Sequence, residues 1–182
     1  MRAGGGKSKG SGFERLLCKQ LSLWITHGEK EDVFWRSAMS GGRGTRLAAK
    51  GRDAQNSAGD ITATGAEGHQ LTDNFFIEAK FYRSLAIEAF LFKNSGTLWK
   101  FWNVCVAEAH KHTKAPLLIA KQNGLETFVV ARSADILKQG YDPPPFLSLY
   151  EVNGDEVGLY WFSTLFPEPP RRKPKFFTSK KP

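Results

Sequence analysis

The stretch NFFIEAKFY, residues 74–82, limits the possible folds of this chain more than any other. Read as a strand, it places Phe75, Ile77, Ala79 and Phe81 on one side and Phe76, Glu78, Lys80 and Tyr82 on the other. One face is entirely apolar. The other sets a carboxylate and an ammonium side by side among aromatics, where burial is costly unless something satisfies both charges. The flanking rings make this a central strand in expectation, and one face of it a site.

The surrounding pattern supplies the layers. Residues 12–27 repeat apolar groups at Phe13, Leu16, Leu17, Leu21 and Trp24, the spacing of an amphipathic helix that Gly28 ends. DVFWRS (32–37) and GDITAT (59–64) read as short strands. SLAIEAFLF and TLWKFWNVCVAEAHKHT read as two helices broken at Asn94-Ser95-Gly96. PLLIAK (116–121) has the continuous apolar character of a buried parallel strand, and Asn123-Gly124 turns it into LETFVVAR. Strand, helical crossover and strand make a right-handed βαβ unit, so the chain is expected to be α/β, with a mixed central sheet flanked by helices. SADILK reads as a short capped helix. FLSLYEVNGDEVGLYWF reads as a C-terminal β-hairpin extension around Asn153-Gly154.

Charge divides the chain differently. The sequence holds 26 basic and 18 acidic residues, a net charge of +8. Arg2, Lys7 and Lys9 lie in residues 1–12 without an acid. Arg171, Arg172, Lys173, Lys175, Lys180 and Lys181 lie in residues 167–182 against Glu168 alone, and what remains between carries 17 of each sign. The expected organisation is a flexible basic arm (1–12), a core (13–135), a hairpin extension of the same domain (136–166) and a basic tail (167–182). Cationic ends of this kind suit a nucleic-acid backbone or an anionic lipid surface; without an amphipathic basic helix, the balance favours nucleic acid. Residues 39–58 form a long glycine-rich loop in expectation, with Arg43, Arg46, Lys50 and Arg52 against Asp53, suited to phosphates rather than base edges.

Three other signals fail on physical grounds. GGGKS (4–8) lacks the preceding strand and first glycine of a phosphate-binding loop, so no nucleotide cofactor is expected. His110 and His112 diverge on a helix and make a poor zinc pair. Trp99, Phe101 and Trp102, with Phe90 and Phe92, suit a core or a dimer face better than base stacking. Cys18 and Cys105 read as buried reduced thiols. No uncharged apolar run spans a bilayer and no signal-like segment opens the chain, so the expected location is cytoplasmic, without membrane contact.

An acid pair beside a lysine suits metal-dependent phosphodiester hydrolysis. Mg²⁺ takes hard oxygen ligands and keeps several waters, so one or two carboxylates and a phosphate oxygen hold it. Asp60 stands next to Glu78 if its strand pairs antiparallel with NFFIEAKFY, and a backbone carbonyl near Ala79 adds a ligand. Lys80 then positions a water and stabilises its hydroxide form. The bland alternative is a surface ion pair on a half-exposed strand.

The spacing Asp60, then Glu78-Ala79-Lys80, resembles the PD-(D/E)xK nuclease superfamily. With the Gly12-Phe13-Glu14-Arg15 helix, the segment from Arg36 to Gly41, Gly59-Asp60, and the helix leading into PLLIAKQ, the order over residues 7 to about 131 resembles archaeal-type Holliday junction resolvases. The resemblance implies a restriction-endonuclease-like sheet and Mg²⁺, with Mn²⁺ as a substitute, on Asp60 and Glu78. It further implies Lys80 assisting the attacking water, Glu14 joining the site, and Arg36 and Ser40 contacting the scissile backbone. Its expected partners are DNA, four-way junctions above all, and a second copy of the chain, in a host cytoplasm that includes a phage-infected one. Lys7, Lys9, Arg171, Arg172 and Lys173 are the expected outlying DNA contacts. A nuclease for other branched, duplex or single-stranded DNA and a non-cleaving DNA-binding relative remain the alternatives.

Overall fold

The computed structural model describes residues 5–37, 58–140, 143–150 and 154–169, without the side chains of 5–8 and 150. Helix α1 (Gly5–Ile25) leads into β1 (Phe34–Arg36) and β2 (Ile61–Ala63). A 3-10 turn (Ala66–Gly68) and the short α2 (His69–Thr72) precede β3 (Phe75–Tyr82). Helices α3 (Ile87–Lys93) and α4 (Gly96–Lys111) cross over to β4 (Ala115–Gln122). Then come β5 (Phe128–Arg132), α5 (Ser133–Leu137), β6 (Leu147–Tyr150), β7 (Glu156–Trp161) and α6 (Phe162–Leu165).

Five strands form one mixed sheet in the order β3-β4-β5-β7-β6, with β3 and β4 parallel and the other pairs antiparallel. The crossover is the βαβ unit read from the sequence. β1 and β2 pair antiparallel as a separate ribbon. The β6–β7 hairpin is part of the main sheet, because Val157–Trp161 of β7 pair with all of β5.

Two apolar layers cover the sheet. On one face Phe75, Ile77, Ala79, Leu117, Ile119 and Val129 pack with Phe13, Leu17 and Leu21 of α1 and with Phe34 and Ile61. On the other, Phe76, Leu118, Ala120 and Val130 pack under Phe90, Leu98, Trp102, Cys105 and Ala109 of the crossover helices. The alternation read along NFFIEAKFY is therefore real, with each face meeting a different helical layer. Both cysteines are free and buried, and desolvation raises both thiol pKa values, that of Cys18 to about 12.

The structure corrects several sequence readings. β3 is an edge strand of the sheet rather than a central one: its aromatic content reflects helices on both faces, not strands on both sides. Helix α1 begins at Gly5, not near Gly12, although its apolar grip starts only at Phe13; a helix anchored at Phe13, Leu17 and Leu21 extends N-terminally at little cost. Leu16 is off the buried stripe. Ser133 does not cap α5, because Arg132 is the N-cap and the serine hydroxyl bonds that of Tyr160 at 2.9 Å. Buried Ser22 ties α1 to β1, donating to the Cys18 carbonyl at 2.7 Å and accepting from the Phe34 N–H at 2.9 Å.

Candidate active site

The open edge of β3 is met by the chain just before β2. Gly59 forms a single parallel bridge with Ile77, and the Asp60 N–H donates to the Ile77 carbonyl at 2.8 Å. This replaces the antiparallel strand pairing expected from the sequence, since β2 is already paired with β1. The bridge still puts Asp60 beside Glu78. The Ala79 N–H, which faces the open edge, donates to Asp60 Oδ2 at 2.9 Å and fixes that carboxylate. On the far side the Ser37 N–H donates to the Asp60 carbonyl at 2.9 Å, so the residue just after β1 holds Asp60 from behind.

Glu78 and Lys80 project toward the crossover helices, where the packed Phe76 marks the same face. Their side chains form an ion pair, and Lys80 Nζ lies 3.7 Å from Asp60 Oδ2. The three are partly covered, with side-chain exposures of 14% for Asp60, 15% for Glu78 and 25% for Lys80. They form a compact two-acid, one-lysine constellation.

Electrostatics shows what the pair lacks. Burial, and then the neighbouring Asp60 charge, push the Glu78 pKa up despite Lys80. For Lys80 burial works against the ammonium, but Glu78 and Asp60 outweigh it and the pKa is raised. The lysine is therefore protonated at neutral pH. In that form it is a positive charge and hydrogen-bond donor beside the two carboxylates.

A stability prediction follows for the protein in EDTA. The Glu78 pKa in the folded state lies above its ordinary 4.5, so between those values the native state binds the extra proton. That contribution to stability is fully present below the unfolded value and is lost as pH rises through the folded one. Chemical denaturation from pH 4 upward is expected to show this decline, and Glu78→Gln should flatten it. An unchanged slope in the variant would assign the decline to other groups.

Glu14 and Arg36 meet elsewhere. They form a close ion pair with exposures of 13% and 28%, between α1 and β1 on the layer opposite Glu78 and Lys80. Arg36 immediately precedes Ser37, so this pair is linked to Asp60 through one hydrogen-bonded residue. Ser40, Arg43, Arg46, Lys50 and Arg52 lie outside the described residues, as do Arg171, Arg172 and Lys173. In the sequence the first five lie between Ser37, whose N–H bonds the Asp60 carbonyl, and Ala58, two residues before Asp60. Lys7 is on α1 with its side chain outside the description, and Lys9 is exposed near the start of that helix. Sequence reading did not find Ser37 as a support of Asp60; no local pattern marks a backbone donor.

A family model described as "Phage putative PDDEXK endonuclease" matches residues 5–148. The chain belongs to that family. Its α/β/α arrangement around a mixed sheet is accordingly restriction-endonuclease-like. No curated protein and no solved structure matches the chain. PDDEXK nucleases generally use divalent metals, and the donor set here fits one hard cation. Asp60 and Glu78 are adjacent carboxylates, and burial, then the Asp60 charge, disfavours the charged form of Glu78, a cost that a cation bound by both would offset. Among the described residues no group of three or more His, Cys, Asp or Glu is disposed to hold a metal. Among the same residues, no helix is long and apolar enough to cross a membrane.

Proposed function

We propose that this PDDEXK endonuclease is Mg²⁺-dependent and selects DNA by structure, with the four-way Holliday junction as its principal substrate. The observation that carries the reading is the Asp60 carboxylate anchored on the Ala79 amide, between Glu78 and Lys80. Asp60 and Glu78 would hold the ion, and Mn²⁺ has the same preference for oxygen ligands. Bound there, the ion would supply Lewis-acid stabilisation of charge on the phosphate. The protonated Lys80 orients the attacking water and favours its hydroxide form. Glu14 stands behind this centre with Arg36 as its counter-ion. An approaching phosphate offers Arg36 a second anion, which draws the guanidinium toward the scissile backbone.

Ser40, Arg43, Arg46, Lys50 and Arg52 lie in the sequence between Ser37 and Ala58 and would supply further backbone contacts. Lys7, Lys9, Arg171, Arg172 and Lys173 add salt-dependent attraction. Symmetric cutting of a junction needs two such sites, which a homodimer provides. Phage membership of the family suits action in a host cytoplasm.

The test compares labelled four-way junction, Y-fork, linear duplex and single strand with Mg²⁺, Mn²⁺ or EDTA. Junction cleavage in either metal and none in EDTA is the expected result. Equal cutting of all substrates would reduce the reading to a general nuclease. Tight binding without cutting in both metals would leave a DNA-binding relative.

A further inference from the structure

Tyr82 is the last residue of β3 and shares its face with Glu78 and Lys80. Rings that close the core on this side, Phe90 and Trp102, are wholly buried, whereas Tyr82 leaves 46% of its surface exposed. It does not stand alone. Its ring centroid lies 4.9 Å from that of Phe101 on α4, tilted by 54°. Lys80 Nζ sits 5.7 Å from the Phe101 centroid, within cation–π range. An aromatic pair is thus built against the same ammonium that faces Asp60 and Glu78, and exposed Arg83 follows it.

We propose that Tyr82 and Phe101 form a stacking platform for an unpaired base next to the scissile phosphate, making DNA with a splayed nucleotide at the cut the preferred substrate class. This rests on the nuclease reading above. Two residues along a strand span about 7 Å, the scale that separates a backbone phosphate from a neighbouring base. A phosphate beside Lys80 therefore brings that base to Tyr82. Bases inside a continuous duplex hide their faces in the stack and offer a side-chain ring nothing; unpaired bases at a fork, flap or open junction centre offer a whole face. Stacking does not depend on which base is present, so the platform selects structure and not sequence. Phe92, although 82% exposed, is on α3 and among the described residues has neither an aromatic partner nor a contact to Lys80, so it does not belong to the platform.

The experiment uses the full chain with a Y-fork carrying 2-aminopurine as the first unpaired base, and a fully paired duplex of the same sequence. In EDTA, binding of the fork should quench the fluorophore by stacking; with Mg²⁺, the fork should be cut in preference to the duplex. In the doubly substituted Tyr82→Leu/Phe101→Leu protein, quenching should disappear, and the fork-over-duplex preference in kcat/KM should fall by about tenfold or more. Tyr82→Phe keeps a ring and should keep both signals. Thermal melting establishes that the leucine variant is folded, and Phe101→Leu alone provides a milder second test. Equal quenching and equal preference in the leucine variant would overturn the platform, as would conversion of a dimer to a monomer, which would make the pair a subunit contact. A wild-type protein that quenches the fork in EDTA but cuts no DNA in metal would refute the nuclease reading and leave the platform standing.

Discussion

Replacing Glu78 by Gln is expected to lower metal-dependent cleavage about a thousandfold while leaving the folded protein at least as stable near neutral pH. The two halves of this result have one cause. Burial and the Asp60 carboxylate both disfavour the Glu78 charge in the absence of a cation, so that charge is held against the interests of stability. Glutamine keeps the volume and an oxygen for Lys80, and removes the repulsion with Asp60. What it cannot do is help concentrate negative charge for a divalent ion. Lys80→Met should separate from it in stability, because removing the ammonium leaves two partly buried carboxylates without their counter-ion. Single-turnover cleavage across a Mg²⁺ titration, with denaturation midpoints in EDTA, reads both effects. A Glu78→Gln enzyme within about tenfold of wild type would remove this carboxylate from the reaction.

The parts of the site visible in the sequence are those set by local periodicity. Alternation along β3 placed Glu78, Lys80 and Tyr82 on one face, and the structure keeps them there. The helical crossover into PLLIAK required that strand, β4, to run parallel to its neighbour, which is β3. Non-local geometry was not visible. Aromatic flanks report burial of both faces, but they carry no information about partners along the edges, so β3 read as central. Asp60 reaches Glu78 through one parallel bridge at that edge, a contact that no strand pattern encodes. Phe101 read as core or dimer face, and it does pack against the core; its further contact with the Tyr82 ring at the strand end is what helical spacing alone does not show. The short α2 and α6 were missed because four residues are too few to show a helical period. Glu14 was legible as an acid on the first helix, whereas its pairing with Arg36 depends on Ser22 docking α1 on β1.

The residue that secures the bridge yields the second large effect, because Gly59 is required twice over. Its φ of +89° lies on the side of backbone space that side chains disfavour. A Cβ there would also stand 2.5 Å from the Ile77 carbonyl oxygen and 3.0 Å from its nitrogen, both backbone atoms of a strand held by β4. Gly59→Ala must therefore push the segment off β3, lengthening the 2.8 Å bond from Asp60 N–H to Ile77 and drawing the Asp60 carboxylate away from Ala79. A displacement of about 1 Å at a reacting centre costs on the order of a hundredfold in rate, and that is the expected loss, with about 1–3 kcal/mol of stability. Gly59→Asn discriminates between the two causes. Asparagine tolerates positive φ, so it would rescue a site that needed only the backbone angle; here it should fail like alanine, since its Cβ meets the same oxygen. Gly124, with φ of +78° and nothing within 4 Å of a built Cβ, is the contrast, where asparagine should be accepted with little change. If Gly59→Ala cleaves DNA at the wild-type rate, Asp60 does not depend on this bridge for its position, and the route by which the structure brings the two acids together is wrong.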